Sequence, residues 1–158
     1  MKRFLQLFAL AMVVALFAGC GKNTRRVSPP SVSIQQVAVQ ANGDWVVDLR
    51  LHNFSSVSMR FEGLQLALSV DEQAAGTLRA TPGISIGPTS ADVVKATFKP
   101  EGVARIVVAD ALSARRTLAY RLEGKVQALP EEARKQREFE VDYRSSINPA
   151  PGLDGVLR

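Results

Sequence analysis

The feature that most constrains this chain is alternation. In four separate stretches every second residue is apolar, the side-chain repeat of a strand with one dry and one wet face. Trp45, Val47, Leu49 and Leu51 sit on one side, with Asp48, Arg50 and His52 on the other. Leu64, Leu66, Leu68 and Val70 alternate against Gln65, Ala67, Ser69 and Asp71. Leu118, Tyr120, Leu122 and Val126 alternate against Thr117, Arg121, Glu123 and Lys125, with Gly124 on the apolar side. Phe139, Val141 and Tyr143 alternate against Glu138, Glu140, Asp142 and Arg144. Strands of this kind bury their dry faces against one another as antiparallel sheets. The expected fold class is therefore mostly β, an antiparallel β-sandwich of about seven strands.

Smaller signals place the connections. From Ser31 to Gln40 the phase slips, because Val32 and Ile34 are followed by Val37 and Val39. A β-bulge at Gln35-Gln36 absorbs the extra residue. Asn42-Gly43 reads as a hairpin of type I′, a turn that needs positive φ at both central residues. Thr77 to Ala80 and Ala91 to Phe98 are shorter strand candidates between the breaks Pro82-Gly83 and Gly87-Pro88. One segment departs from period two: between Pro100 and Arg116 the apolar residues Val103, Ile106, Val107, Ala111 and Ala114 fall at helical spacing. A helix over about 101–115 is favoured, with Glu101 and Arg115-Arg116 suiting its two dipole ends. The β-branched cluster Ile106-Val107-Val108 argues for strand instead.

The N-terminus is of another kind. Met1-Lys2-Arg3 is a short cationic start, Phe4 to Phe17 is apolar save for Gln6, and Ala18-Gly19 precedes the single cysteine, Cys20. The apolar run reaches about 21 Å as a helix, against a hydrocarbon core of about 30 Å, so it suits a secretory signal better than a membrane span. Leu16-Phe17-Ala18-Gly19-Cys20 resembles the lipobox of bacterial lipoproteins, in which the cysteine becomes the lipid-bearing first residue. The alternative is an ordinary secreted protein with a cysteine just past the cut. A lone cysteine in an oxidising compartment cannot form an internal disulfide, and lipidation accounts for it. Each buried acyl methylene contributes about 0.8 kcal/mol, and two or more chains anchor stably. Gly21 after the cysteine resembles the pattern for sorting to the outer membrane, with the domain facing the periplasm.

The division expected is a lipoprotein signal peptide at 1–19, a lipidated tether at 20–30, the sandwich at 31–144 and a flexible C-terminal tail at 145–158. Cleavage removes Lys2 and Arg3 and no acid, so the formal net charge falls from +5 to +3. A small surplus spread along the chain is unlike a nucleic-acid footprint, which needs clustered cations and stacking aromatics. No catalytic constellation is expected. His52 is the sole histidine, and Asp48 on the same strand face lies about 13 Å away at about 3.3 Å per residue. With one histidine and the cysteine given to lipid, a transition-metal site lacks its usual ligands. Asp71-Glu72 and Glu131-Glu132 read as solvated turns, and no glycine-rich phosphate loop is present.

The order of features is similar to a known module. A strand ending Leu49-Arg50-Leu51-His52-Asn53, an irregular link, the strand Leu64 to Val70, a glycine-containing hairpin at Ala75-Gly76 and an amphipathic helix come first. Then follows Ala119-Tyr120-Arg121-Leu122-Glu123-Gly124-Lys125-Val126. Together these resemble the LEA type 2 (late embryogenesis abundant) family and its WHy domain, over roughly Ser31 to Tyr143. Phe54 stands where the family usually has proline. The resemblance implies an immunoglobulin- or fibronectin-like sandwich with one helix and no enzymatic activity, cofactor or metal. It also implies a protective role in desiccation or related stress through weak contacts with other proteins. A dedicated accessory subunit of an envelope complex, binding through a strand edge or loop, is the alternative. Tyr120, Leu122 and Gly124 are motif positions that look structural.

Overall fold

The computed structural model describes residues 25–131, 133 and 135–158. The signal peptide, Cys20 and the first part of the tether lie outside the described residues. Among the described residues nine strands and one helix follow in order: β1 Ser31–Val39, β2 Trp45–Asn53, β3 Met59–Val70, β4 Gln73–Ala80, β5 Ile84–Ile86 and β6 Ser90–Phe98. Then come α1 Gly102–Ser113, β7 Leu118–Pro130, β8 Arg137–Ile147 and β9 Val156–Leu157.

Two antiparallel sheets face each other. The first has the order β6-β2-β1-β9; the second has β4-β3-β7-β8, with β5 also paired to β3. The sandwich expected from alternation is thus present. All four alternating sets turn their apolar members inward: Trp45, Val47, Leu49, Leu51, Leu64, Leu66, Leu68, Val70, Leu118, Tyr120, Leu122, Val126 and Val141 are buried. Phe139 and Tyr143 are partly covered and pack against that core. Trp45 meets Phe98 edge to face at 5.7 Å between ring centroids, a geometry that sets the positive ring edge against the negative face.

Bulges carry the irregular steps. The register of β1 on β2 shifts between Ile34 and Gln36, as the phase slip predicts. A second shift lies between Phe61 and Gly63 in β3. A third, at Ala75 in β4, leaves a buried residue whose carbonyl accepts the Glu101 N–H at 2.9 Å and so ties the strand to the start of α1. That third bulge is why β4 begins at Gln73 and not at Thr77. It breaks alternation between Ala75 and Leu78, both buried.

Turn chemistry differs from expectation in two places. At Asn42-Gly43 only Gly43 has positive φ, 85°. The Gly43 N–H donates to the Gln40 carbonyl at 2.9 Å, and the Gln40 N–H to the Asp44 carbonyl at 2.8 Å. This is a three-residue loop with a bulged glycine, not type I′. The tight hairpin falls instead at Asp71-Glu72, where both residues have positive φ, 42° and 65°. Ala75-Gly76 lies within β4.

The helix forms, but its buried face is Ala104, Val108 and Ala111. Val103 and Ile106, expected in the apolar stripe, are 57% and 71% exposed. Val107 and Leu112 pack against the core on either side of this face, so the buried stripe is offset from the expected one and leaves Val103 and Ile106 outward. The tail expectation is corrected at its ends. Residues 145–147 extend β8, and β9 pairs Leu157 with Val37 and Val156 with Ala38.

Candidate functional site

Asn53 ends β2 with its side chain fully buried. Its Nδ2 donates to the carbonyls of Val57 at 2.9 Å, Ile86 at 3.0 Å and Gly87 at 2.9 Å, while its Oδ1 accepts the Ser55 N–H at 2.9 Å. Two amide hydrogens serve three acceptors, so one is shared. The residues after it then grip the segment expected as tether. Ser55 Oγ accepts the Ser28 N–H at 3.0 Å and donates to the Ser28 carbonyl at 3.2 Å. Ser56 Oγ accepts the Arg26 N–H at 2.7 Å, and the Ser56 N–H donates to the Arg26 carbonyl at 2.9 Å. Residues 26–30 are therefore part of the folded body, with Val27 packed against the core. The sequence flagged Asn53 but missed Ser28, Ser55 and Ser56. Its signal was there, since Asn and Ser in succession favour side-chain-to-backbone turns.

His52, on the outer face of the first sheet, stacks against Phe54 with ring centroids 3.9 Å apart. Two residues back along the same face Arg50 is exposed, and it pairs in register with Val93 of β6. Among the described residues no three His, Cys, Asp or Glu side chains come together in a way that could hold a metal ion. The carboxylate pair Asp71-Glu72 is the β3–β4 turn. Asp71 accepts the Ala119 N–H at 3.0 Å and an Arg116 guanidinium N–H at 2.6 Å, and Asp110 takes the same guanidinium at 3.0 Å. Of the second pair, Glu131 bonds through its backbone N–H to Ser58 and Glu132 is outside the described residues.

The outer face of the second sheet is a charged lattice. Arg121 grips Asp142 with two hydrogen bonds, at 2.9 and 2.8 Å, and also pairs with Glu123 at 2.6 Å. The Arg121 hydrogen bond is the main cause that holds the Asp142 carboxyl below its ordinary value. Lys125 pairs with Glu138 at 2.6 Å, which raises the ammonium group above its ordinary value. Between these rows lies an open trough of about 1110 Å³, floored where Gly63, Ala67 and Thr77 carry little bulk and edged by Arg79, Lys125 and Glu140. It offers charged and amide groups spread over a shallow surface.

The remaining motif residues brace the body. The Tyr120 hydroxyl accepts the Ile34 N–H from the opposite sheet at 3.1 Å, beside the β1 bulge, and burial pushes this phenol up. Gly124 has φ 152°, and a Cβ there would stand 2.2 Å from the Gln65 carbonyl oxygen. Only glycine fits so close a backbone approach.

No protein-family model and no curated protein matches this chain. Solved structures similar to it include the solution structure of a putative late embryogenesis abundant (LEA) protein, 14% identical, with 95% of this chain and 87% of that chain covered and a TM-score of 0.48. Another is the solution structure of an Arabidopsis thaliana protein, 11% identical, covering 85% and 87%, with a TM-score of 0.48. A third is the crystal structure of a protein from Archaeoglobus fulgidus, 11% identical, covering 79% and 98%, with a TM-score of 0.41.

Proposed function

We propose that this is a non-enzymatic envelope lipoprotein, anchored through acylated Cys20 to the outer membrane and facing the periplasm. Its sandwich protects other proteins during desiccation or related stress. The observation that supports the reading best is the placing of the motif residues: Asn53, Tyr120 and Gly124 each brace the sandwich in a way their side chains, or lack of one, require. The charged lattice supplies the physical means. As water is withdrawn, its ammonium, guanidinium, carboxylate and amide groups form many weak, exchangeable hydrogen bonds with a client surface.

Drying or freeze–thaw of an unrelated enzyme beside the full chain tests the protective role, with more activity retained than beside an equal mass of inert protein. Equal loss with both overturns it. A second reading, an accessory subunit, is favoured by β8, which among the described residues pairs along its 11 residues with β7 and has no strand partner at its other edge. Cross-linking in cells separates the two: one dominant partner in fixed ratio supports the subunit, and many sparse partners support the protector. For anchoring, Cys20→Ala is expected to abolish incorporation of labelled palmitate, and unchanged labelling overturns the lipoprotein assignment.

A further inference from the structure

The folded body takes hold of its N-terminal segment at Arg26, bonded through its backbone to Ser56 in both directions. Only residues 21–25 separate that fixed point from Cys20. The six residue steps from Cys20 to Arg26 reach at most about 22 Å, at 3.3–3.6 Å each. The 12 residues of β3 extend about 40 Å at about 3.3 Å each. Resting on the reading that Cys20 carries lipid, the 53–58 link is therefore kept within about 22 Å of the bilayer, while the turns at Asn42-Gly43 and Asp71-Glu72 stand at the other end of the sandwich.

What that near end presents is apolar and cationic together. Phe54 is 42% exposed and lies over His52. Val93, 38% exposed, and Arg50 continue the same outer face. Arg25 and Arg26 are exposed where the segment emerges. The acidic groups nearby are Asp92, whose carboxylate turns onto the Val93 N–H at 2.7 Å, Glu62, paired with Arg60 at 2.6 Å, and exposed Glu131, whose N–H donates to the Ser58 carbonyl on the side of the second sheet. Exposed apolar side chains such as Phe bury at the headgroup/acyl boundary of a bilayer beside basic ones, and each basic side chain near an anionic surface adds about 1 kcal/mol.

We infer that Phe54, His52, Arg50, Val93, Arg25 and Arg26 form a docking surface for anionic phospholipid headgroups. Docking there turns the outer face of the second sheet, with its charged trough, away from the membrane and toward soluble clients.

The test uses the full acylated chain in vesicles, with an environment-sensitive fluorophore on Pro88→Cys beside the link or on Ala41→Cys at the far end. Both positions are exposed. Brominated acyl chains are expected to quench the label at 88 and not at 41 when the vesicles contain phosphatidylglycerol. The quenching is expected to fade when phosphatidylcholine replaces it. Each of Arg25→Gln, Arg26→Gln and Arg50→Gln is expected to lower the docked-to-free ratio roughly fivefold, and Phe54→Ser to lower it with circular dichroism unchanged. Equal quenching at both labels, indifference to headgroup charge, or quenching that scales with protein density as a second copy would require, each overturns the docking surface. The mass of the N-terminal peptide reads acylation separately. If Cys20 proves a free thiol the anchor reading falls, and docking is decided by sedimentation of the unlabelled chain with the same vesicles, where equal binding to both lipids overturns it.

Discussion

At the scale of single residues, Asn53 shows how a polar side chain in a β protein becomes indispensable. Three carbonyls and one N–H bond to it, and the Ile86 carbonyl and the Ser55 N–H do so in buried surroundings. Asn53→Ala leaves these groups short of partners, at about 1–3 kcal/mol for each group that stays unsatisfied. We expect a total loss of about 3 kcal/mol in urea denaturation, with faster amide exchange at Arg26 and Ser28, because the link that grips them is shaped by Asn53. A drop in stability without that faster exchange would separate Asn53 from the clamp. Asn53 was legible in the sequence as a motif position, whereas its partners were not. They are backbone carbonyls brought together from β5 and the link, and a carbonyl carries no side-chain signature. His52 and Phe54 illustrate a different gap: the alternation places His52 on the wet face, but stacking on Phe54 follows from the path of the link.

At the scale of elements, positive φ marks where local sequence and local geometry disagree. α1 ends in a Schellman arrangement, with the Arg116 N–H donating to the Ala111 carbonyl at 3.0 Å and the Arg115 N–H to Leu112 at 3.4 Å. This places Arg115 at φ 52°, a position where glycine is the usual residue. Arg115→Gly is expected to raise the urea midpoint by the equivalent of about 1 kcal/mol with an unchanged slope, since it relieves the left-handed conformation in an exposed residue. An unchanged midpoint would mean that glycine's extra freedom in the unfolded chain cancels the relief. The same disagreement explains the misplaced hairpin. Asn42-Gly43 carries the composition of a type I′ turn, yet the hydrogen bond from Gln40 to Asp44 leaves three residues to connect. Asp71-Glu72 lacks that composition, but Val70 pairs directly with Gln73 and leaves only two. Strand register, set by burial of Leu64, Leu66, Leu68 and Val70, overrides turn propensity. Where no register competes, as at the Gln35 bulge, the pattern alone was enough.

For the whole molecule, the question is what closes the sandwich along β1. The C-terminal segment reads as a frayed end because its prolines and glycines suppress any period, and two-residue strands lie below what alternation can register. Yet it bridges the layers. Asn148 and Arg158 exchange backbone hydrogen bonds at 2.6 and 2.7 Å, the Val39 N–H donates to the Gly155 carbonyl at 2.8 Å, and Leu157 is wholly buried. Through these contacts β8 of one sheet and β1 of the other are joined, and the outer edge of β1 is covered at Val37, Ala38 and Val39. A tail that is merely loose makes Leu153 and Leu157 equivalent. The structure makes them opposites, because Leu153 is 46% exposed. Leu157→Ala is expected to cost about 2–4 kcal/mol, the range for emptying a buried leucine site, and Leu153→Ala less than about 0.5 kcal/mol. Thermal denaturation of the two variants side by side decides between the two pictures, and equal midpoints would return the segment to the status of a tail. Leu157→Ala carries a second consequence that stability alone does not. Loosening β9 uncovers part of the β1 edge, and an unpaired edge recruits strands from other copies. The variant is therefore expected to elute partly as oligomers in size-exclusion chromatography under conditions where Leu153→Ala stays in a single peak.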